Sequence, residues 1–172
     1  MKSLMKKKHV LLSLIFGICL AWFFATAFID FIAAPNIFRN VSSLKEAGTL
    51  GGIIFTSFNI IEMIFAIALI FFTILYKKKG SKATIILKVL AASTLVLAIV
   101  YTTTLSPGIR DTNIAKSNYT HTDEEYQVLE EKLRTYHNLY VKLDSYKLLA
   151  LLTMCGISIT GLARLETKEG EA

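Results

Sequence analysis

Four apolar stretches, each about twenty residues or longer, constrain this chain more than any other feature. They run from about residue 10 to 34, 50 to 76, 83 to 105 and 143 to 163. Roughly 20 residues of α-helix cross about 30 Å of hydrocarbon. Within hydrocarbon each backbone N–H and C=O must find its partner inside the segment, so runs of this length have to be helical. The expected fold is therefore all-α: an integral membrane four-helix bundle forming a single transmembrane domain over residues 1–172. The composition, 53% hydrophobic and only 19% charged, agrees and argues against an ordinary soluble domain.

Charge placement gives an expected orientation. Lys2, Lys6, Lys7 and Lys8 precede the first stretch, while Lys77, Lys78, Lys79 and Lys82 fill the link between the second and third. Basic residues favour the cytoplasmic side, so the expected topology is N-in/C-in in a cell membrane of the bacterial cytoplasmic kind. Two connections then lie outside. Pro35 to Gly48 is short, and residues 106–142 are long and carry Asp123, Glu124, Glu125, Glu130 and Glu131. Nucleic acid is not an expected partner, because no aromatic residues interleave with the lysines. The expected partners are the lipid bilayer and either a second copy of the chain or another membrane protein, since four helices are few for an autonomous carrier.

The amino end has the basic and apolar parts of a secretory signal, followed by "ATA" at Ala25 to Ala27. Trp22, Phe23 and Phe24 crowd that site and "FIDFIAA" continues the run, so a retained first span is expected. Cys19 and Cys155 fall inside spans, where a thiol packs as a small apolar group. Neither they nor His9 and His121 have metal-site spacing, and no cofactor is expected.

"PNIFR" at Pro35 to Arg39 follows the first span and "PGIR" at Pro107 to Arg110 follows the third. Each proline is expected to end its helix by removing a donor and restricting the residue before it, and the echo suggests two hairpins of one orientation. Gly17, Ala21 and Ala25 recur every four positions, a surface on which another helix can approach closely. "TDEEYQVLEEKLR", Thr122 to Arg134, carries acids suited to a helix start with Thr122 as cap. That helix is expected to continue into the last span as one long external helical extension.

Against this background Glu62, in "FNIIEMIF", is anomalous: a carboxylate in hydrocarbon is costly unless paired or neutralised. With a rise of about 1.5 Å per residue, the inner basic residues serve as depth markers. Glu62 then lies roughly 22 Å above the inner edge, Lys147 about 25 Å, Asn59 about 27 Å, Tyr101 about 28 Å, Asp144 about 30 Å and Asp30 about 33 Å. These six form one candidate polar intramembrane site. Asn59 and Glu62 share a helix face, and His137, Tyr140, Asp144 and Lys147 form a stripe on the last helix.

The expected pairing is Glu62 with Lys147. Asp30 and Asp144 form a second, acidic pair nearer the outside, neutralised by Arg39, Arg110 or His137, which with Tyr140 make an outer mouth. Three acids against one lysine suit a proton or cation site. The competing role is structural, with polar contacts that hold helices in register.

"FIDFIAAPNIFRNVSSLKEAGTLGGIIFTSFNIIE", Phe28 to Glu62, together with "YHNLYVKLDSYKLL", Tyr136 to Leu149, resembles the transmembrane protein 205-like family of small four-helix membrane proteins. The resemblance implies the fold and a membrane location, but no reaction. This chain departs from it after the histidine, where Tyr140 and Asp144 replace a serine and an asparagine. An enzyme is not expected, because no activated serine or cysteine, zinc motif or phosphate loop occurs. Binding or moving a proton, cation or small solute is one expected role, and assembly within a membrane complex is the other.

Overall fold

The structure, a computed structural model, describes residues 2–77 and 80–170. Lys78 and Lys79 of the basic link lie outside the described residues, and so does the side chain of Lys2. Among the described residues the chain is helical with no strands. We number four long helices: α1 (2–40), α2 (Leu44–Leu75), α3 (82–116) and α4 (Glu124–Gly170). All four contain segments long and apolar enough to cross a membrane.

Local chemistry sets the helix ends. Ser43 caps α2 by accepting a hydrogen bond from the Glu46 N–H at 3.2 Å, and Glu46 places an acid in the first turn. Gly80 has φ +68°, a left-handed conformation that permits the tight link from α2 to α3. Before α4, Asp123 accepts from the Thr120 N–H at 2.7 Å, and the helix begins at Glu124, one residue later than a cap at Thr122 would place it.

Neither proline ends its helix. α1 passes through a π segment at Ile29–Ala33 and continues as Ala34–Asn40; α3 passes through a π segment at Tyr101–Leu105 and continues as Ser106–Lys116. Each π segment opens six residues before its proline. A proline in an α-helix lacks the N–H for the carbonyl four residues back and its ring clashes with that carbonyl. Widening one turn relieves both problems, and the N–H groups of Ala34 and Ser106 bond carbonyls five residues back, at Ile29 and Tyr101. The echo between the two hairpins thus extends from their prolines to their backbone geometry.

The helices form a ring in which α1 and α3 each pack against α2 and α4. All neighbours are antiparallel, so both ends of the chain lie at one end of the bundle, where His9 and Glu166 approach to 3.8 Å. Near this terminal end the interior is apolar, built from Leu12, Ile15, Leu69, Leu87, Leu151 and Met154. Beyond the other end α3 and α4 continue together, tied by Lys116 to Glu130 at 2.6 Å and by Gly108 against the Tyr136 ring.

The bundle is polar inside and apolar outside. Glu62 and Lys147 are 0% exposed, whereas Ile64 and Leu149, two residues further along the same helices, are 62% and 66% exposed. Such a surface is stable against hydrocarbon rather than water. Gly17 and Ala21 also face outward, so the small-residue stripe of α1 does not pack within the chain.

Candidate functional site

All four helices contribute to a polar layer on the loop side of the apolar core. At its centre is Lys147 on α4, whose Nζ lies 2.5 Å from Glu62 Oε1 on α2 and 2.5 Å from Asp144 Oδ1 one turn back on α4. The Glu62 and Lys147 depths read from the sequence differed by about 3 Å, and the two side chains meet. A buried ion pair needs further hydrogen bonds to offset the lost hydration of its members. Here Trp22 Nε1 donates to the same Glu62 oxygen at 2.8 Å, and Thr26 Oγ1 approaches it at 3.5 Å. On the other side, the Tyr101 hydroxyl donates to Asp144 Oδ1 at 2.7 Å, and its ring lies 4.8 Å from Lys147 Nζ, within cation–π range.

Aromatic rings wall off this network. Tyr140 is buried, 4.8 Å from the Tyr101 ring and 5.6 Å from Phe55, and the Trp22 indole stacks on Phe65 at 6.0 Å. Asn59 is buried beside it, its Nδ2 donating to Ser106 Oγ at 2.5 Å. Asp30 is half-buried on the first π segment, on the Asp144 side of the layer.

The outer mouth differs from the sequence-based expectation. Arg39, Arg110 and His137 are exposed, and Arg110 bonds its neighbour Asp111 at 3.0 Å instead of the Asp30 and Asp144 pair. The cation beside Asp144 is Lys147, one helical turn away and already buried, whereas an arginine at the outer edge would have to surrender its hydration to reach inward. Tyr140 belongs to the enclosed layer rather than to a mouth, so the stripe on α4 is buried from Tyr140 onward and His137 stands outside it.

Trp22, Thr26 and Ser106 were not foreseen as members of the layer. A signal for the first two was present: Trp22, Thr26 and Asp30 recur at four-residue spacing, and Trp22 lies at about 21 Å on the same depth scale. Cys19 and Cys155 are buried free thiols in the apolar core. Among the described residues, no three His, Cys, Asp or Glu side chains converge in a way that could hold a metal ion.

The arrangement sets three carboxyls, Asp30, Glu62 and Asp144, against one ammonium. If all were ionised, the layer would carry two uncompensated negative charges out of water. Neutralisation by a proton or a small cation is the chemistry it favours. Compared with protein-family models, curated proteins and solved structures, the chain has no match.

Proposed function

We propose that this chain is a multi-pass membrane protein that binds a proton or small cation in its polar layer and moves it across the bilayer. The supporting observation is the charge excess around the buried Lys147, with Glu62 and Asp144 buried beside it and Asp30 half-buried. A purely structural polar contact needs one acid for one base, and the extra carboxyls of Asp30 and Asp144 exceed that need. Both termini face the cytoplasm of a bacterial cell in this reading, with Lys6, Lys7, Lys8 and Lys77 on the inner side. The residues resembling the transmembrane protein 205-like family support, on the same reading, a kinship with those small four-helix membrane proteins.

The test is ion movement in proteoliposomes carrying an internal pH dye and, separately, a membrane-potential dye. Wild-type protein should dissipate an imposed gradient. Glu62→Gln and Asp144→Asn should abolish that flux while leaving insertion and helicity intact. Flux equal to wild type in both variants would refute the proposal.

A second reading has its own observation. Gly17 and Ala21 face outward on α1, and nothing lies within 4 Å of a side chain built at Gly17. Small residues on a lipid-facing helix allow a second helix to pack closely. Assembly with another copy or another membrane protein through α1 is compatible with ion movement and can be measured separately by cross-linking in native lipid.

A further inference from the structure

The polar layer distinguishes a proton from a metal ion, an inference that rests on the cation-site reading above. Two of its deeply buried oxygens lack a donor. Among the described residues neither Glu62 Oε2 nor Asn59 Oδ1 has a hydrogen-bond partner, although their residues are 0% and 1% exposed. A buried acceptor without a donor loses its hydration without return, and for a carboxylate the loss is larger. Glu62 and Asn59 are three residues apart on α2, so the two side chains share one helix face. A proton on Glu62 Oε2 would turn that acceptor into a donor, with Asn59 Oδ1 an open acceptor on the same face.

A metal ion suits the layer less well. The Lys147 ammonium already occupies the position between Glu62 Oε1 and Asp144 Oδ1. A second cation would meet its charge at short range, and the carboxyls do not converge as a ligand set.

Access is also one-sided. The titratable groups of the layer are Asp30 from α1, Glu62 from α2, Tyr101 from α3, and Tyr140, Asp144 and Lys147 from α4. Of these, all but Asp30 are buried. Toward the terminal end the layer is closed by Ile15, Cys19, Ala66, Leu69, Leu151 and Met154, each 0% exposed. Among the described residues this plug holds no carboxyl, ammonium or imidazole that could relay a proton, and the buried hydroxyls of Thr94 and Thr73 on that side donate to their own helices, at the Ala91 and Ile70 carbonyls.

We infer that the occupant is a proton carried by Glu62, that it enters from the loop end through the Asp30 and Asp144 carboxyls, and that the path to the terminal end is shut in this conformation. The transfer balances. Asp30 gives a proton to Asp144; Lys147 then releases one N–H proton to Glu62 Oε1 and takes one from the Asp144 carboxyl, and a half-turn of the Glu62 carboxyl exchanges its oxygens so that the protonated one takes the open Oε2 position; Lys147 ends as it began and no electrons change hands.

The decisive experiment is infrared difference spectroscopy of the whole protein in lipid nanodiscs, read at the carbonyl stretch of a protonated carboxyl. Wild type should show this band. Glu62→Gln should lose it, and replacing Na⁺ by K⁺ or choline should leave it unchanged. Asp30→Asn should slow the band's response to a pH jump without reducing its final amplitude. Glu62→Asp, which shifts the band instead of deleting it, covers the case in which the glutamine variant fails to fold.

A band that persists in Glu62→Gln, or stays unshifted in Glu62→Asp, overturns the inference. Displacement of the band by Na⁺ also overturns it, yet leaves the cation-site reading standing. A band lost in Glu62→Gln from a protein with no flux in liposomes supports the proton occupant while removing the transport reading.

Discussion

Lys147→Met removes the one ammonium that the described residues bring to the polar layer while nearly preserving side-chain volume. In the native site its Nζ contacts two carboxylates at 2.5 Å, one from α2 and one from α4, and neither Lys147 nor Glu62 is exposed. In the proton-free state, at a pH above that at which Glu62 takes up its proton, methionine would leave the ionised Glu62 and Asp144 without a counter-charge. Removing one partner of a buried ion pair costs about 3–5 kcal/mol, because the surviving charge remains desolvated. An ordinary polar contact between membrane helices averages only about 0.6 kcal/mol, with about 1.7 kcal/mol as the largest such value. Lys147 serves two carboxylates, so its loss belongs in the first range. At least about 3 kcal/mol is expected, on the order of a hundredfold or more in the folding equilibrium.

The assay is equilibrium unfolding in mixed micelles, followed by helicity and by Trp22 fluorescence, since the indole bonds the same Glu62 oxygen. The companion variant Glu62→Gln/Asp144→Asn/Lys147→Met removes all three charges together. A neutral site of similar volume is often no less stable than the ion pairs it replaces, so this triple variant should recover to within about 1–2 kcal/mol of wild type. If Lys147→Met alone stays within about 0.5 kcal/mol of wild type, or if the triple variant is no better than the single one, the central role of the ammonium is refuted.

Two further substitutions test the surroundings. Trp22→Phe keeps a ring against Phe65 but deletes the N–H that Glu62 accepts at 2.8 Å, and should cost about 1.5–3 kcal/mol in the same unfolding assay, as for a hydrogen bond to a charged group. Gly108→Ala would set a methyl 2.9 Å from the Tyr136 ring. It should loosen the outer part of the α3 and α4 hairpin by about 1–3 kcal/mol, seen as faster amide exchange over residues 106–116, whereas Gly17→Ala, with open space around it, should leave monomer stability within about 1 kcal/mol of wild type.

Much of the site could be read before its coordinates because depth along a membrane helix is nearly one-dimensional. Basic residues mark the floor, the rise per residue is fixed, and a buried acid must find a partner near its own height. That logic brings Glu62 to Lys147 across 85 positions of sequence. It gives depth but not the direction a side chain takes around the ring, which is why Arg39, Arg110 and His137 were assigned to acids that they do not reach. Trp22 escaped for another reason: an indole in an apolar run looks like lipid-facing or core bulk until an acceptor is placed beside its N–H.

The prolines were harder to read, and they bear most directly on the site. Pro35 and Pro107 looked like helix stops because local sequence shows only the missing donor and the steric clash. In a membrane the unwound backbone groups cannot turn to water, so a neighbouring turn must absorb the defect, and a π segment does so without breaking the helix. The extra residue rotates everything beyond it by about 100° relative to an uninterrupted helix, since 3.6 residues make a turn. Asp30 lies in one π segment and Tyr101, which bonds the Asp144 carboxyl, opens the other, so α1 and α3 each present a member of the layer where their winding changes. Each hairpin thus has one member of the layer seated where the same backbone device begins. A helix drawn straight through either proline would give the correct depth and face for Asp30 and Tyr101, which stand at the start of their π segments, and the wrong face for the residues that follow.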